Sequence, residues 1–202
     1  MELLIAVSCI LGYLLGSANS SLIVGRFYSV DIRKHGSGNA GTTNTLRTLG
    51  KKAAVFVLLG DLLKGVLAYL AGCYITGGAL GGMFGGTAAI LGHVWPVYFG
   101  FKGGKGVLTS LAVLLMIDWQ VALVLLGIFL VIVLVTRYVS LGSVISAVLF
   151  PIVSLILDRG FETIAFSAFI AVLIIVMHRS NIKRLLEGTE SKIGSKKRED
   201  EK

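Results

Sequence analysis

Residues 106–136 read GVLTSLAVLLMIDWQVALVLLGIFLVIVLVT. As one helix at 1.5 Å per residue, this stretch would be about 46 Å long. That is too long for one crossing of a bilayer core of about 30 Å, and short for two full ones. The triplet Asp118-Trp119-Gln120 interrupts it midway, which suits a turn with a tryptophan at the membrane interface. The stretch is therefore read as a hairpin of two short helices.

Working outward, 55% of the chain is hydrophobic and 15% is charged, against about 25% charged in a soluble domain. Apolar blocks such as 121–135 and 166–177 leave too few polar residues to cover a soluble core. Bilayer lipid must solvate the outside. Seven apolar spans follow, at about 3–25, 53–77, 80–97, 106–117, 120–136, 141–157 and 161–178. The expected fold is all-α, a polytopic membrane helix bundle of about seven short transmembrane helices. Residues 1–192 form one membrane-embedded domain, and residues 193–202 a charged, solvated, disordered tail.

Charge sets the orientation. With the N-terminus outside and the C-terminus cytoplasmic, Lys64 lies within a span and Arg159 is the one other basic residue not on the inside. Six spans would put either the first loop or the Lys/Arg-rich tail outside, against the positive-inside rule. The net charge of +8 thus reads as basic residues flanking spans, with no nucleic acid implied. The first residues lack the basic stretch of a cleavable signal peptide, so the first span is expected to be retained. Cys9 and Cys73 lie in apolar spans and read as packing residues.

The polar residues gather on the inside connections. The first carries His35-Gly36-Ser37-Gly38-Asn39-Ala40-Gly41-Thr42-Thr43-Asn44-Thr45-Leu46-Arg47. Its literal G-x-G-x-x-G lacks the βαβ context of a dinucleotide site. Glycines still let backbone N–H groups approach an anion, and a following helix N-terminus favours one. Ser37, Asn39, Thr42, Thr43 and Asn44 add neutral donors, and Arg47 a planar fork suited to phosphate. The bland alternative is a flexible linker whose Ser and Asn cap a helix. The second connection, Phe101-Lys102-Gly103-Gly104-Lys105-Gly106, is not a Walker A loop: it is one residue short, and Gly106 replaces the metal-binding hydroxyl. Its lysines make an anion seat or, more simply, grip lipid headgroups. The third contains Ser143 at the start of a span, where a hydroxyl and a helix N-terminus could meet a phosphate.

At the last connection His178 meets the interface, with Asn181 at i+3 on the same helix face and Glu190 as a local brace of the tail. His93 lacks such a neighbour and ranks below His178. No metal site is expected, because no other His or Cys has ligand spacing. Asp61 and Lys64, at i,i+3 within a span, read as a structural ion pair. The glycines at 77, 78, 81, 82, 85 and 86 read as small-residue packing of the third span.

Four runs together resemble the bacterial acyl-phosphate:glycerol-3-phosphate acyltransferase family (PlsY). They are Ser-Gly-Asn-x-Gly-x-Thr-Asn-x-x-Arg at 37–47, Gly-Asp-x-x-Lys-Gly at 60–65, Gly-His-x-x-Pro with Phe-Lys-Gly-Gly-Lys-Gly-Val within 92–107, and His-x-x-Asn with Arg-Leu-x-x-Gly-x-Glu within 178–190. The resemblance implies transfer of a fatty acyl group from acyl phosphate to the sn-1 hydroxyl of glycerol 3-phosphate, giving lysophosphatidic acid and phosphate. The setting it implies is the cytoplasmic side of a bacterial inner membrane. It implies catalytic Ser37, Arg47, His178 and Asn181. Phosphate and substrate contacts are expected from Gly38, Asn39, Thr43, Asn44, Gly103, Gly104, Lys105 and Ser143. Acyl phosphate is already activated, so no cofactor is needed. A soluble enzyme producing it is a possible partner. The His-x₄-Asp pair of other glycerolipid acyltransferases is absent, since Ala40, Tyr98 and Lys183 follow the three histidines at that spacing. The rival reading is an organic-anion or phosphate transporter, but no inverted repeat accompanies the one-sided clusters.

Overall fold

The computed structural model describes residues 1–194, and these are all helix, turn and loop. From residue 195 on, the charged tail assigned to 193–202 lies outside the described residues. The helices are α1 (Glu2–Ser17), α2 (Ser20–Phe27), α3 (Thr42–Leu49), α4 (Lys51–Thr76), α5 (Ala79–Val94), α6 (Val107–Ile117), α7 (Trp119–Thr136), α8 (Val139–Ile156), α9 (Phe161–Met177) and α10 (Arg179–Leu186). The chain divides into two compact units, Met1–Ala122 and Leu123–Lys202.

In the first unit α1, α4 and α5 pack on one another, and α6 packs on α4 and α5. The helix α4 shows why. Phe56, Leu59, Leu63, Leu67 and Leu70 are exposed, while Asp61, Lys64, Gly65, Ala68 and Gly72 are buried. Apolar side chains face out and small or polar ones face in, the arrangement lipid imposes. Between α1 and α5 glycine is obligatory: a Cβ on Gly12 or Gly16 would collide with the backbone of Gly85 or Ala89. Gly81, Gly82, Gly85 and Gly86 make similar close contacts. Gly77 and Gly78 do not; they form the turn between α4 and α5, and Gly77 closes α4 at φ 73°.

The first span expected at 3–25 is present as Glu2–Phe27, with its helix interrupted between Ser17 and Ser20. Asn19 caps α2, its side chain accepting from the Leu22 N–H at 3.1 Å. The break at Asp118 is present, its Oδ1 accepting from the N–H groups of Gln120 and Val121 at 3.1 Å. In the second unit α8 packs on α9, with Phe150 and Phe166 edge to face at 5.9 Å, and α10 touches both helices. Among the described residues four segments, Glu2–Phe27, Lys51–Thr76, Trp119–Thr136 and Val139–Ile156, are long and apolar enough to cross a bilayer. Phe161–Met177 with Arg179–Leu186 makes a fifth across a 60° bend, and Val107–Ile117 is a shorter apolar helix.

Close helix approach predicts a contrast. Gly16→Val should lower the melting temperature in detergent by an amount equivalent to about 1–3 kcal/mol or more, from overpacking. Gly127→Ala, with nothing within 4 Å of the added Cβ, should stay within about 1 kcal/mol of the parent.

Candidate functional site

The polar loop of residues 28–41 is built around Asn44, the third residue of α3. Its Oδ1 accepts the Ser37 N–H at 2.9 Å, and its Nδ2 donates to the carbonyls of Ile32 and His35 at 3.0 and 2.9 Å. Both amide hydrogens are engaged, and the residue is buried. Asn44 thus shapes the loop. Ser37 and Gly38 stand exposed above it, as does Arg47 on α3. Asn39 and Thr43 are half-buried. The neighbouring Thr42, first residue of α3, has a buried hydroxyl without a hydrogen-bond partner. It is a better unengaged donor than Thr43, and sequence alone does not separate adjacent threonines.

Asp31 and Arg33, which sequence reading passed over, tie this loop down. They form a two-pronged pair at 3.0 Å, and Arg33 Nη1 donates to the Phe99 carbonyl at 3.0 Å. The Arg33 guanidinium holds the Asp31 carboxyl below the usual carboxylate range.

Gly103 and Gly104 donate their N–H groups to the carbonyls of Val94 and His93, each at 3.1 Å, capping the end of α5. Those N–H groups are thus engaged within the protein. What the turn delivers is the half-buried Lys105, just before α6. Gly104 also lies against the Ala40 carbonyl, so the two loops touch.

Asp61 and Lys64 are buried, with Nζ 2.9 Å from Oδ1. His93 has the partner that sequence reading denied it: its Nδ1 is 2.8 Å from Lys64 Nζ and 3.5 Å from Asp61 Oδ1.

In the second unit His178 sits at the bend between α9 and α10. The apolar span and α10 meet in a break at His178, which is the N-cap of the helix that carries Asn181 three residues on. His178 is buried, and its Nδ1–H donates to the Ile174 carbonyl at 2.8 Å. A carbonyl can only accept, so in the neutral ring Nε2 is the acceptor. Glu190 braces the tail locally, as expected, and also reaches α8. Its carboxylate accepts from Ser140 Oγ and Asn181 Nδ2 at 2.7 Å and from Arg184 Nε at 2.6 Å. Ser143 falls beyond the first turn of α8, and its hydroxyl donates back to the Val139 carbonyl at 3.0 Å. Ser140 is the hydroxyl that reaches another element.

Apolar helices facing outward around buried polar side chains, with donor-rich loops at their ends, are the construction of an integral membrane protein. The family model for glycerol-3-phosphate acyltransferase matches residues 6–188. The chain is 45% identical over 191 residues to the glycerol-3-phosphate acyltransferase of Thermoanaerobacter pseudethanolicus, covering 94% of this chain and 96% of that one. It is 47% identical over 193 residues to that of Halalkalibacterium halodurans, covering 92% and 93%. It also matches the crystal structure of PlsY (YgiH), an integral membrane glycerol 3-phosphate acyltransferase, in its glycerol 3-phosphate form. That match has 38% identity, a TM-score of 0.88 and coverage of 94% and 96%. The lysophosphatidic acid form matches with a TM-score of 0.85, again at 38% identity over 94% of this chain and 95% of that one. The chain belongs to the glycerol-3-phosphate acyltransferase family, whose members are acyltransferases of phospholipid synthesis.

The Glu190 hub predicts a pH dependence. Burial raises its carboxyl pKa, but the bonds from Ser140, Asn181 and Arg184 outweigh this and hold it below the usual value of about 4.5. A depressed folded pKa contributes stability that is fully present above about pH 4.5 and is lost as pH falls through the folded value. Glu190→Gln should lower the melting temperature at pH 7 and flatten its fall below about pH 4.5.

Proposed function

We propose that this protein transfers a fatty acyl group from acyl phosphate to the sn-1 hydroxyl of glycerol 3-phosphate, releasing lysophosphatidic acid and phosphate. The observation that carries the proposal is the match over 94% of the chain to PlsY crystallised in glycerol 3-phosphate and lysophosphatidic acid forms. Those two molecules are a substrate and a product of this reaction. The donor-rich loops supply what two phosphorylated substrates need.

The proposed roles belong to residues of one domain, 1–192. Arg47 and Lys105 hold phosphate groups, with Ser37 and the hydroxyl of Thr42 as neutral donors. His178 and Asn181 orient the reacting hydroxyl, Asn181 itself held by Glu190. The glycerol oxygen attacks the acyl carbon, the carbon–oxygen bond to phosphate breaks, and the hydroxyl proton ends on the departing phosphate. A phosphate monoester with a second pKa near 6 is a competent acceptor. His178 Nε2 would direct that hydroxyl without having to keep its proton. The acyl chain would remain in the bilayer between apolar helices. The site would face the cytoplasm of a bacterial inner membrane, where a soluble enzyme could deliver acyl phosphate.

This reading takes seven crossings, with α5 and α6 as short ones, the N-terminus outside and the C-terminus inside. In a background lacking Cys9 and Cys73, single cysteines at Asp118 and Lys183 should react with an impermeant thiol reagent from opposite sides. Reaction from one side would contradict the topology.

Kinetics of purified variants test the roles. Arg47→Ala and Lys105→Ala each remove charge-assisted hydrogen bonds of about 1.5–3 kcal/mol, or about 10- to 150-fold in the affected step. Lys105→Ala should act mainly on KM for glycerol 3-phosphate, and His178→Ala mainly on kcat. Unchanged kcat in His178→Ala, or harmless loss of both cations, would overturn the proposed site.

A further inference from the structure

The mechanism above makes no use of Asp61, Lys64 and His93, although they are 1%, 6% and 4% exposed. Polar groups of this kind among apolar helices are costly and need a reason to persist. Their hydrogen bonding indicates one. Lys64 Nζ forms an ion pair with Asp61 Oδ1 at 2.9 Å and hydrogen bonds with His93 Nδ1 at 2.8 Å and the Ala18 carbonyl at 3.4 Å. An ammonium only donates. His93 Nδ1 is therefore the acceptor, and in the neutral ring the proton lies on Nε2.

That Nε2 edge is directed at Gly104. A Cβ on Gly104 would overlap His93 Nε2 on one side and fall 2.5 Å from the Ala40 carbonyl on another. The Gly104 N–H is in turn bonded to the His93 carbonyl at 3.1 Å. Ala40 belongs to the loop that carries Ser37 and is fully buried, its carbonyl accepting from Asn19 Nδ2 at 3.4 Å. The contacts thus run without a gap from the ion pair on α4, through the His93 ring, to the turn that delivers Lys105 and the loop that delivers Ser37.

We propose that His93, fixed by the Asp61–Lys64 pair, is a positioning residue: its ring edge sets the height of the Gly103–Gly104 turn and so the reach of Lys105 toward glycerol 3-phosphate. This rests on the proposed role of Lys105 as a phosphate contact. The glycine at 104 is then required because the ring edge occupies the place of a side chain.

The test uses full-length protein in lipid, with kcat, KM for glycerol 3-phosphate and melting temperature measured for each variant. In His93→Asn the amide oxygen takes the place of Nδ1, so Lys64 keeps its acceptor while the edge toward Gly104 is lost. Melting close to wild type is expected, with KM raised about tenfold, the scale of one lost polar contact, and kcat changed less than KM. In His93→Gln the amide nitrogen reaches the place of Nε2, and KM should recover part of that loss. Wild-type KM in a folded His93→Asn, or equal KM in the two variants, would overturn the proposal. Lys105→Ala is the control. If it leaves KM unchanged, the seat itself is wrong and the positioning role falls with it. If it raises KM while His93→Asn does not, only the positioning role falls. Nitrogen-15 spectra of histidine-labelled wild type provide a measurement independent of variant folding. His93 should show a protonated Nε2 and a bare Nδ1, and saturating glycerol 3-phosphate should shift its signals. A protonated Nδ1, or signals indifferent to the ligand, would overturn the proposal.

Discussion

The Lys64 ammonium is the group on which the first unit is organised. It lies almost fully buried among apolar helices, where an unpaired charge would not be tolerated. Three partners from three elements surround it: the Asp61 carboxylate one turn away on α4, His93 near the end of α5, and the Ala18 carbonyl at the break between α1 and α2. The break is what frees that carbonyl to face inward. Thr109 of α6 adds a fourth element, its hydroxyl donating to the Asp61 carbonyl at 3.4 Å. One charge therefore fixes the relative depth of helices whose other contacts are glycine and alanine surfaces. Such surfaces allow close approach but say little about sliding along the axis.

The loops follow the same economy of donors. Asn44 organises one loop, the Gly103 and Gly104 N–H groups cap α5, and Arg33 bridges to Phe99. In the second unit Glu190 gathers Ser140, Asn181 and Arg184 at the bend that holds His178. Many side chains of phosphate-binding type thus build the frame. The donors proposed to meet substrate stand at its surface or at a helix start.

Much of this was legible in the sequence because hydrocarbon leaves few choices. An apolar block with no room for a polar face must be a helix in lipid, and each expected span has a helix within a few residues. Asp118 was readable as a break because aspartate caps helices. The Asp61 and Lys64 spacing puts two charges on one face. What sequence could not give was partner choice across long separations. His93 meets Lys64 from 29 residues away, and Ser140 meets Glu190 from 50. Nor could the sequence show that α8 begins one turn before Ser143, whose hydroxyl turns back on its own helix. The loop-bracketing bonds of Asn44 were not readable either, because an amide suits a loop bracket as well as a phosphate. The bend at His178 carries no proline or glycine to announce it.

The central claim is that acyl phosphate alone activates the acyl group, so that positioned donors and the substrate's own phosphate suffice. The direct measurement is the purified protein in lipid vesicles, given only acyl phosphate and glycerol 3-phosphate in the presence of EDTA. The account predicts lysophosphatidic acid and phosphate in equal amounts. A requirement for a nucleotide, a divalent metal or an acyl thioester before any lysophosphatidic acid forms would contradict it.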